Sequence, residues 1–176
     1  MFVGVDGCKA GWVAIALKDN DTFECAVFNS IHEVYEAFYE AQLLLIDIPI
    51  GLKESGSEER RCDKQARRLL RKPRSSSVFP VPCRQAVYSE SPATAIQINK
   101  EITGRGLSKQ SLGILPKIKE VDEFLKNNPD IAGRQFREVH PELCFYGLAG
   151  YSMEHNKKKP EGINERLTVL QRGYPK

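Results

Sequence analysis

Residues 43–52 read Leu43-Leu44-Leu45-Ile46-Asp47-Ile48-Pro49-Ile50-Gly51-Leu52. Four apolar residues run straight into one carboxylate, and apolar residues resume directly after it. Leu43 to Ile46 shows no polar alternation, the pattern of a central parallel strand covered on both faces. A carboxylate at the end of such a strand is costly unless it is hydrogen-bonded, paired or bound to a cation.

Working outward toward the N-terminus, Phe2 to Val5 reads as a short strand. Asp6-Gly7-Cys8-Lys9-Ala10-Gly11 reads as a tight turn. Trp12 to Leu17 and Thr22 to Phe28 are two more strands, separated by the polar break Lys18-Asp19-Asn20-Asp21. Short loops between β runs predict an antiparallel meander. Ser30 then caps a helix, with Glu33 completing a capping box. Ile31, Val34, Tyr35 and Phe38 form its apolar face. Three antiparallel strands, a helix and a buried parallel strand is the opening order of the ribonuclease H-like architecture. The predicted fold is therefore α/β: a mixed sheet of three antiparallel strands followed by parallel strands, flanked by helices, as one domain over residues 1–176. Actin-like ATPases and sugar kinases begin the same way.

Beyond Gly51 the pattern predicts a cationic helix capped by Ser55 and Glu58. Cys62, Ala66 and Leu69 form its inward stripe, and Arg60, Lys64, Arg67 and Arg71 a second stripe. Eight of the 15 residues from Arg60 to Arg74 are Lys or Arg, with Asp63 the only acid. That balance suits a phosphate backbone, although a charge run also makes an ordinary solvated face. A proline-stiffened loop follows to Arg84. Further helices are predicted over Tyr88–Ile102, with Ser91 and Pro92 at its start, and over Ile114–Leu125. Phe136–Val139 is a short strand leading into His140-Pro141-Glu142. Pro160 opens a last helix with apolar positions Ile163, Leu167 and Leu170, ended by Gly173.

Composition narrows the class. The chain has 176 residues, 41% of them hydrophobic, with a net charge of +3, so a globular domain is expected and nucleic acid is not implied by charge alone. Five cysteines without a C-x-x-C pair argue against a disulfide framework and for a reducing cytoplasm. The N-terminus lacks the pattern of a signal peptide, and no apolar run approaches the ~20 residues that span a bilayer, so no membrane is expected.

Three acids share one description: Asp6 ends the first strand, Asp47 ends the fourth, and Glu142 follows the last. Ligands of open α/β sheets bind outside the carboxyl ends of strands. The architecture sets the first and fourth strands side by side, where two carboxylates repel unless a cation lies between them. Mg²⁺ or Mn²⁺ suits such a site, and Asp6, Asp47 and Glu142 are the metal-binding and catalytic candidates. Lys9, Arg67, Arg74, Arg84 and His140 are the phosphate candidates. Each acid also has a structural reading: a hairpin turn for Asp6-Gly7, a loop cap for Asp47, a helix N-terminal acid for Glu142. His140 reads as strand-end packing ahead of metal ligation.

The sequence resembles a known family at six places: Val3-Gly4-Val5-Asp6-Gly7-Cys8-Lys9-Ala10-Gly11-Trp12; Ile46 to Leu52; Cys62-Asp63 with Ala66-Arg67; Ser77-Val78-Phe79-Pro80 with Arg84; Glu138 to Glu142; and Lys159-Pro160-Glu161-Gly162 with Arg166-Leu167. This is the family catalogued as domain of unknown function 429, described as predicted nucleases of the ribonuclease H fold. The resemblance implies a metal-dependent phosphodiesterase acting on nucleic acid or nucleotide. It also implies a further C-terminal helix with an Asp, which residues 1–176 do not include. On that expectation the chain binds at most one divalent ion weakly and has little activity. One sheet face is left open for self-association into a homo-oligomer. Two other readings stand beside it: a non-catalytic nucleic-acid or protein scaffold, and an actin-like ATP-dependent phosphotransferase with Gly7 and Gly11 at the phosphates.

Overall fold

The computed structural model describes residues 1–18 and 22–173. The predicted break at Asp19–Asp21 lies outside them. In chain order the elements are β1 (Phe2–Cys8), β2 (Gly11–Leu17), β3 (Phe23–Phe28), α1 (Ile31–Ala37), β4 (Leu43–Ile46), α2 (Arg61–Arg74), α3 (Arg84–Val87), α4 (Pro92–Thr103), α5 (Lys109–Asn127), β5 (Phe136–Glu138), α6 (Pro141–Ala149) and α7 (Pro160–Gly173). Two compact units result. The first comprises residues 1–57 and 81–139, the second residues 58–80 and 140–176.

The first unit holds the sheet, in the order β3-β2-β1-β4-β5. β1, β2 and β3 pair antiparallel, while β4 runs parallel to β1 and β5 parallel to β4. This is the mixed sheet that the sequence predicts. Val3, Val5, Ala14, Ala16, Leu44, Ile46 and Phe136 form one buried core with Ile31, Val34 and Phe38 of α1 and Ile118, Val121, Phe124 and Leu125 of α5. Trp12 joins it, and its indole N–H donates to Glu120 Oε1 at 2.9 Å. The same oxygen accepts the Ile31 N–H at 2.7 Å, so one carboxylate satisfies the indole and an N-terminal amide of α1. Ser30 Oγ caps α1 by accepting the Glu33 N–H, as predicted, but Glu33 reaches back to the Asn29 amide.

The other sheet face is open. Phe2, Ile15, Phe23 and Val27 are 44%, 51%, 69% and 58% exposed. β4 follows the same division: Leu44 and Ile46 are buried, while Leu43 and Leu45 are only half-buried. An apolar run does not by itself reveal whether both faces are covered.

The second unit buries charge where the sequence pattern suggested only apolar stripes. In α2 the inward residues are Asp63, Ala66 and Leu70, with Cys62 and Leu69 exposed. Asp63 is buried because Arg60 grips both of its oxygens, at 2.8 and 2.7 Å. Arg60 occupies the N-cap position with no side-chain cap bond, so the helix starts later than predicted and Ser55 and Glu58 do not cap it. In α7 the whole inward stripe lies one residue earlier than expected. Gly162, Arg166 and Val169 face inward, and Ile163, Leu167 and Leu170 face solvent. α4 begins as predicted, with Ser91 Oγ accepting the Thr94 N–H. α5 starts five residues earlier than expected, capped by Ser108.

Two glycines separate intrinsic helix propensity from packing. An alanine normally stabilises a helix by up to about 1 kcal/mol relative to glycine. At Gly162 a Cβ would overlap the Asn156 carbonyl, whereas at Gly147 in α6 it meets nothing. Gly147→Ala should raise the melting temperature slightly. Gly162→Ala should instead lose about 1–3 kcal/mol. Thermal unfolding of the two variants checks the contrast.

Candidate metal and phosphate site

Val5 and Ile46 are the last matched pair of β1 and β4, and the Asp47 N–H donates to the Val5 carbonyl at 3.2 Å. Asp6 and Asp47 therefore follow directly on matched positions of parallel neighbours, whose backbones lie about 4.8 Å apart. Asp6 is exposed and Asp47 half-buried. Asp6 does not end its strand as the sequence predicts, because β1 stays paired with β2 as far as Cys8 and the tight turn begins only after it. Two carboxylates that follow the last matched residues of parallel neighbours still suit a hard divalent cation. The loop behind Asp47 is firmly held. Ile48, Pro49 and Leu52 are buried. Gly51 turns at φ 77°, a region that favours glycine. The Ile50 N–H donates to Glu138 Oε2 at 2.8 Å, and the Arg84 N–H donates to the Lys53 carbonyl at 2.9 Å.

Arg84 is occupied in a different way from the one predicted. Its guanidinium ion-pairs with Glu54 and, at 3.0 Å, with the buried Asp122. Asp122 also accepts from the Tyr88 hydroxyl at 2.8 Å and pairs with Lys126 at 3.1 Å. Burial alone would raise the Asp122 pKa, but the bonds from Tyr88, Lys126 and Arg84 outweigh it and hold the carboxyl below its ordinary value. Burial would lower the pKa of Arg84, yet Asp122 and Glu54 keep it raised. Burial and the bond to Asp122 raise the Tyr88 pKa. Lys9 sits exposed in the β1–β2 turn, three residues beyond Asp6.

Glu142, Arg67, Arg74 and His140 belong to the second unit. Glu142 lies in the first turn of α6 and is buried, its two oxygens accepting from Arg166 Nη2 at 2.7 and 2.8 Å. Arg166 Nη1 also donates to the Gly162 carbonyl at 2.8 Å. Glu142 is thus an ion-pair partner, which sequence reasoning missed because Arg166 stands 24 residues away. Arg67 donates from Nε to the Val78 carbonyl at 2.9 Å and from Nη1 to Glu59 at 2.6 Å. His140 Nε2 lies 3.3 Å from the Ser77 carbonyl and donates to it, so Arg67 and His140 brace consecutive residues of one loop. Arg67 Nη2, Arg74 Nε and His140 Nδ1 are buried without a hydrogen-bond partner. Exposed cations remain on α2 at Lys64, Arg68, Arg71 and Lys72. Among the described residues, no three His, Cys, Asp or Glu side chains gather closely enough to hold a metal ion.

A family model described as "Protein of unknown function (DUF429)" matches residues 4–174, and the chain belongs to that family. No curated protein and no solved structure matches it. Among the described residues, no helix is long and apolar enough to cross a membrane.

The Asp122 cluster gives a pH test. A carboxyl whose folded pKa lies below its unfolded value, about 3.9, adds stability that is complete above that value. The contribution disappears as pH falls through the folded pKa. Asp122→Asn should therefore be less stable than wild type at pH 7 and should lose less on acidification. Urea unfolding between pH 7 and pH 2 should show the two curves converging toward the acid end.

Proposed function

We propose that this family member is a divalent-metal-dependent phosphodiesterase of ribonuclease H-like type, with Asp6 and Asp47 holding the ion. The observation that carries this reading is the β1–β4 register: Asp6 and Asp47 each follow the last matched pair of the two strands, where β4 ends and β1 runs on to Cys8 beside β2. Mg²⁺ and Mn²⁺ suit the donor set, since such ions are commonly held by one or two carboxylates, with water and substrate phosphate completing the shell. A bound ion would polarise the phosphodiester and make water a better nucleophile. With both Glu142 oxygens engaged by Arg166, the proposal uses two acids and one ion. It does not invoke the pair of ions that would clamp both attacking and leaving oxygens.

The chain's own residues supply approach and binding. Asp6 is open to a ligand from the outer face of the sheet. Lys9, exposed on the turn after Asp6, is the phosphate contact proposed for this unit. In the second unit Lys64, Arg68, Arg71 and Lys72 present positive charge to solvent and fit a polyanion, so nucleic acid is the proposed substrate class. Arg67, Arg84 and His140 make internal bonds. The small acid set also favours a second reading, a nucleic-acid-binding domain that does not cleave.

Calorimetric titration should show one Mn²⁺ per chain, lost in both Asp6→Asn and Asp47→Asn with little change in melting temperature. An Asp47→Asn protein that melts lower and still binds Mn²⁺ as wild type does would return Asp47 to a loop-capping role. Cleavage of single- and double-stranded DNA and RNA with Mn²⁺, abolished by a chelator, would separate the enzyme from the binding domain. Replacing Lys64, Arg68 and Lys72 together by Ala should weaken nucleic-acid binding about equally for all sequences and flatten its salt dependence.

A further inference from the structure

We infer that Glu138 is a positioning residue for Asp47: it binds neither ion nor substrate, and it fixes the loop that carries the Asp47 carboxylate. The inference rests on the reading of Asp47 as a metal-binding acid.

Register excludes the simpler idea that Glu138 is a third ligand. Glu138 is the β5 partner of Ile46, as Ile46 is of Val5. Matched residues of neighbouring strands project from the same face, and Val5 and Ile46 both lie in the inner core. Glu138 therefore leaves the sheet on the inner side. Asp6, one residue beyond Val5, leaves it on the outer side. On the inner side Glu138 Oε2 meets the Ile50 N–H at 2.8 Å, a bond between residues 88 apart.

That bond ties the middle of the loop to β5. Its beginning is tied to β1 by the Asp47 N–H on Val5, and its end by the Arg84 N–H on Lys53 and the Arg84–Glu54 ion pair. Between them lie Pro49, which has no N–H to offer, and Gly51 in a left-handed turn. Without an acceptor at residue 138, the span from 48 to 52 loses its central tie while both ends stay in place. The Asp47 N–H bond to Val5 and the buried Ile48, Pro49 and Leu52 would remain, but the segment that carries the Asp47 side chain would lose its tie to β5. Outer partners that orient a metal-binding carboxylate typically change affinity 10–100-fold when removed.

Glutamine keeps an oxygen that can accept the Ile50 N–H, and alanine does not. The test uses the full chain, Mn²⁺ titration and amide hydrogen exchange over residues 47–54. Glu138→Ala should weaken Mn²⁺ binding about tenfold and speed exchange at Ile50, while Glu138→Gln stays close to wild type in both. Loss of Mn²⁺ in Glu138→Gln as severe as in Glu138→Ala would overturn the inference, because it would mark a direct ligand. Unchanged Ile50 exchange in Glu138→Ala would also overturn it. If Glu138→Ala does not fold, Glu138→Asp, one methylene shorter, takes its place with the same expected pattern. Should the wild type bind no Mn²⁺, the metal reading fails by itself. Exchange at Ile50 then decides the loop-holding role: faster exchange in Glu138→Ala but not in Glu138→Gln sustains it, and equal exchange overturns it.

Discussion

The parallel pairing of β1 with β4 is the constraint on which the first unit depends. It joins residues some forty positions apart and is fixed by side chains, not by a turn. Val3 and Val5 share the inner core with Leu44 and Ile46. A slip of β1 by one residue would turn Val3 and Val5 toward the open face and bring Gly4 and Asp6 to the core side, exchanging apolar burial for a buried charge. The core thus sets the register, and the register sets Asp6 beside Asp47. No separate device is needed to bring the two acids together.

Other acids of the molecule are managed in the opposite way. Asp63 is gripped by Arg60, Glu142 by Arg166 and Asp122 by Arg84, each acid buried and each held by charge-assisted bonds. A buried pair of this kind adds little over a well-packed apolar pair, but loss of one partner leaves an uncompensated charge and costs about 3–5 kcal/mol. Their value is geometric. Arg60 and Asp63 fix the start of α2, Glu142 and Arg166 join α6 to α7, and Asp122 and Arg84 join α3 to α5. Glu142, a catalytic candidate in the sequence, and Arg84, a phosphate candidate, both take part in fastening pairs of this sort.

The sequence was legible where the signal is local. Strand and helix order, the Ser30 and Ser91 caps and the sheet class follow from patterns within ten residues of each other. Asp47 stood out because its apolar flanks make an acid expensive. The signal failed where the deciding partner is distant. Nothing near Glu142 points to Arg166, and nothing near Arg84 points to Asp122, so both were read as free for chemistry. In α2 Ala66 faces inward as expected but Asp63 and Leu70 replace Cys62 and Leu69, and in α7 the whole stripe lies one residue earlier, because a paired Asp63 and a paired Arg166 can be buried while Leu69 and Leu167 face solvent. Glu138 was invisible as a loop fastener, since its role exists only once β5 is in register with β4.

Asp6 differs from these fasteners in its surroundings. It lies within β1, opposite Val13 of β2, on a sheet face whose exposed members include Phe2, Ile15, Phe23 and Val27. Packing gives no reason for an acid there, and the neighbouring exposed positions show that the face is not polar throughout. A second acid, Asp47, directly follows the neighbouring strand β4, and two carboxylates brought close repel unless a cation lies between them. The loop carrying that second acid is held at its start, middle and end, and Ile48, Pro49 and Leu52 in it are buried. A solvent-exposed connection tolerates looseness, whereas a binding group must be held near its productive geometry by supporting bonds. An exposed acid on β1, next to a firmly held loop that carries a second acid, is the arrangement on which the proposed ion site rests.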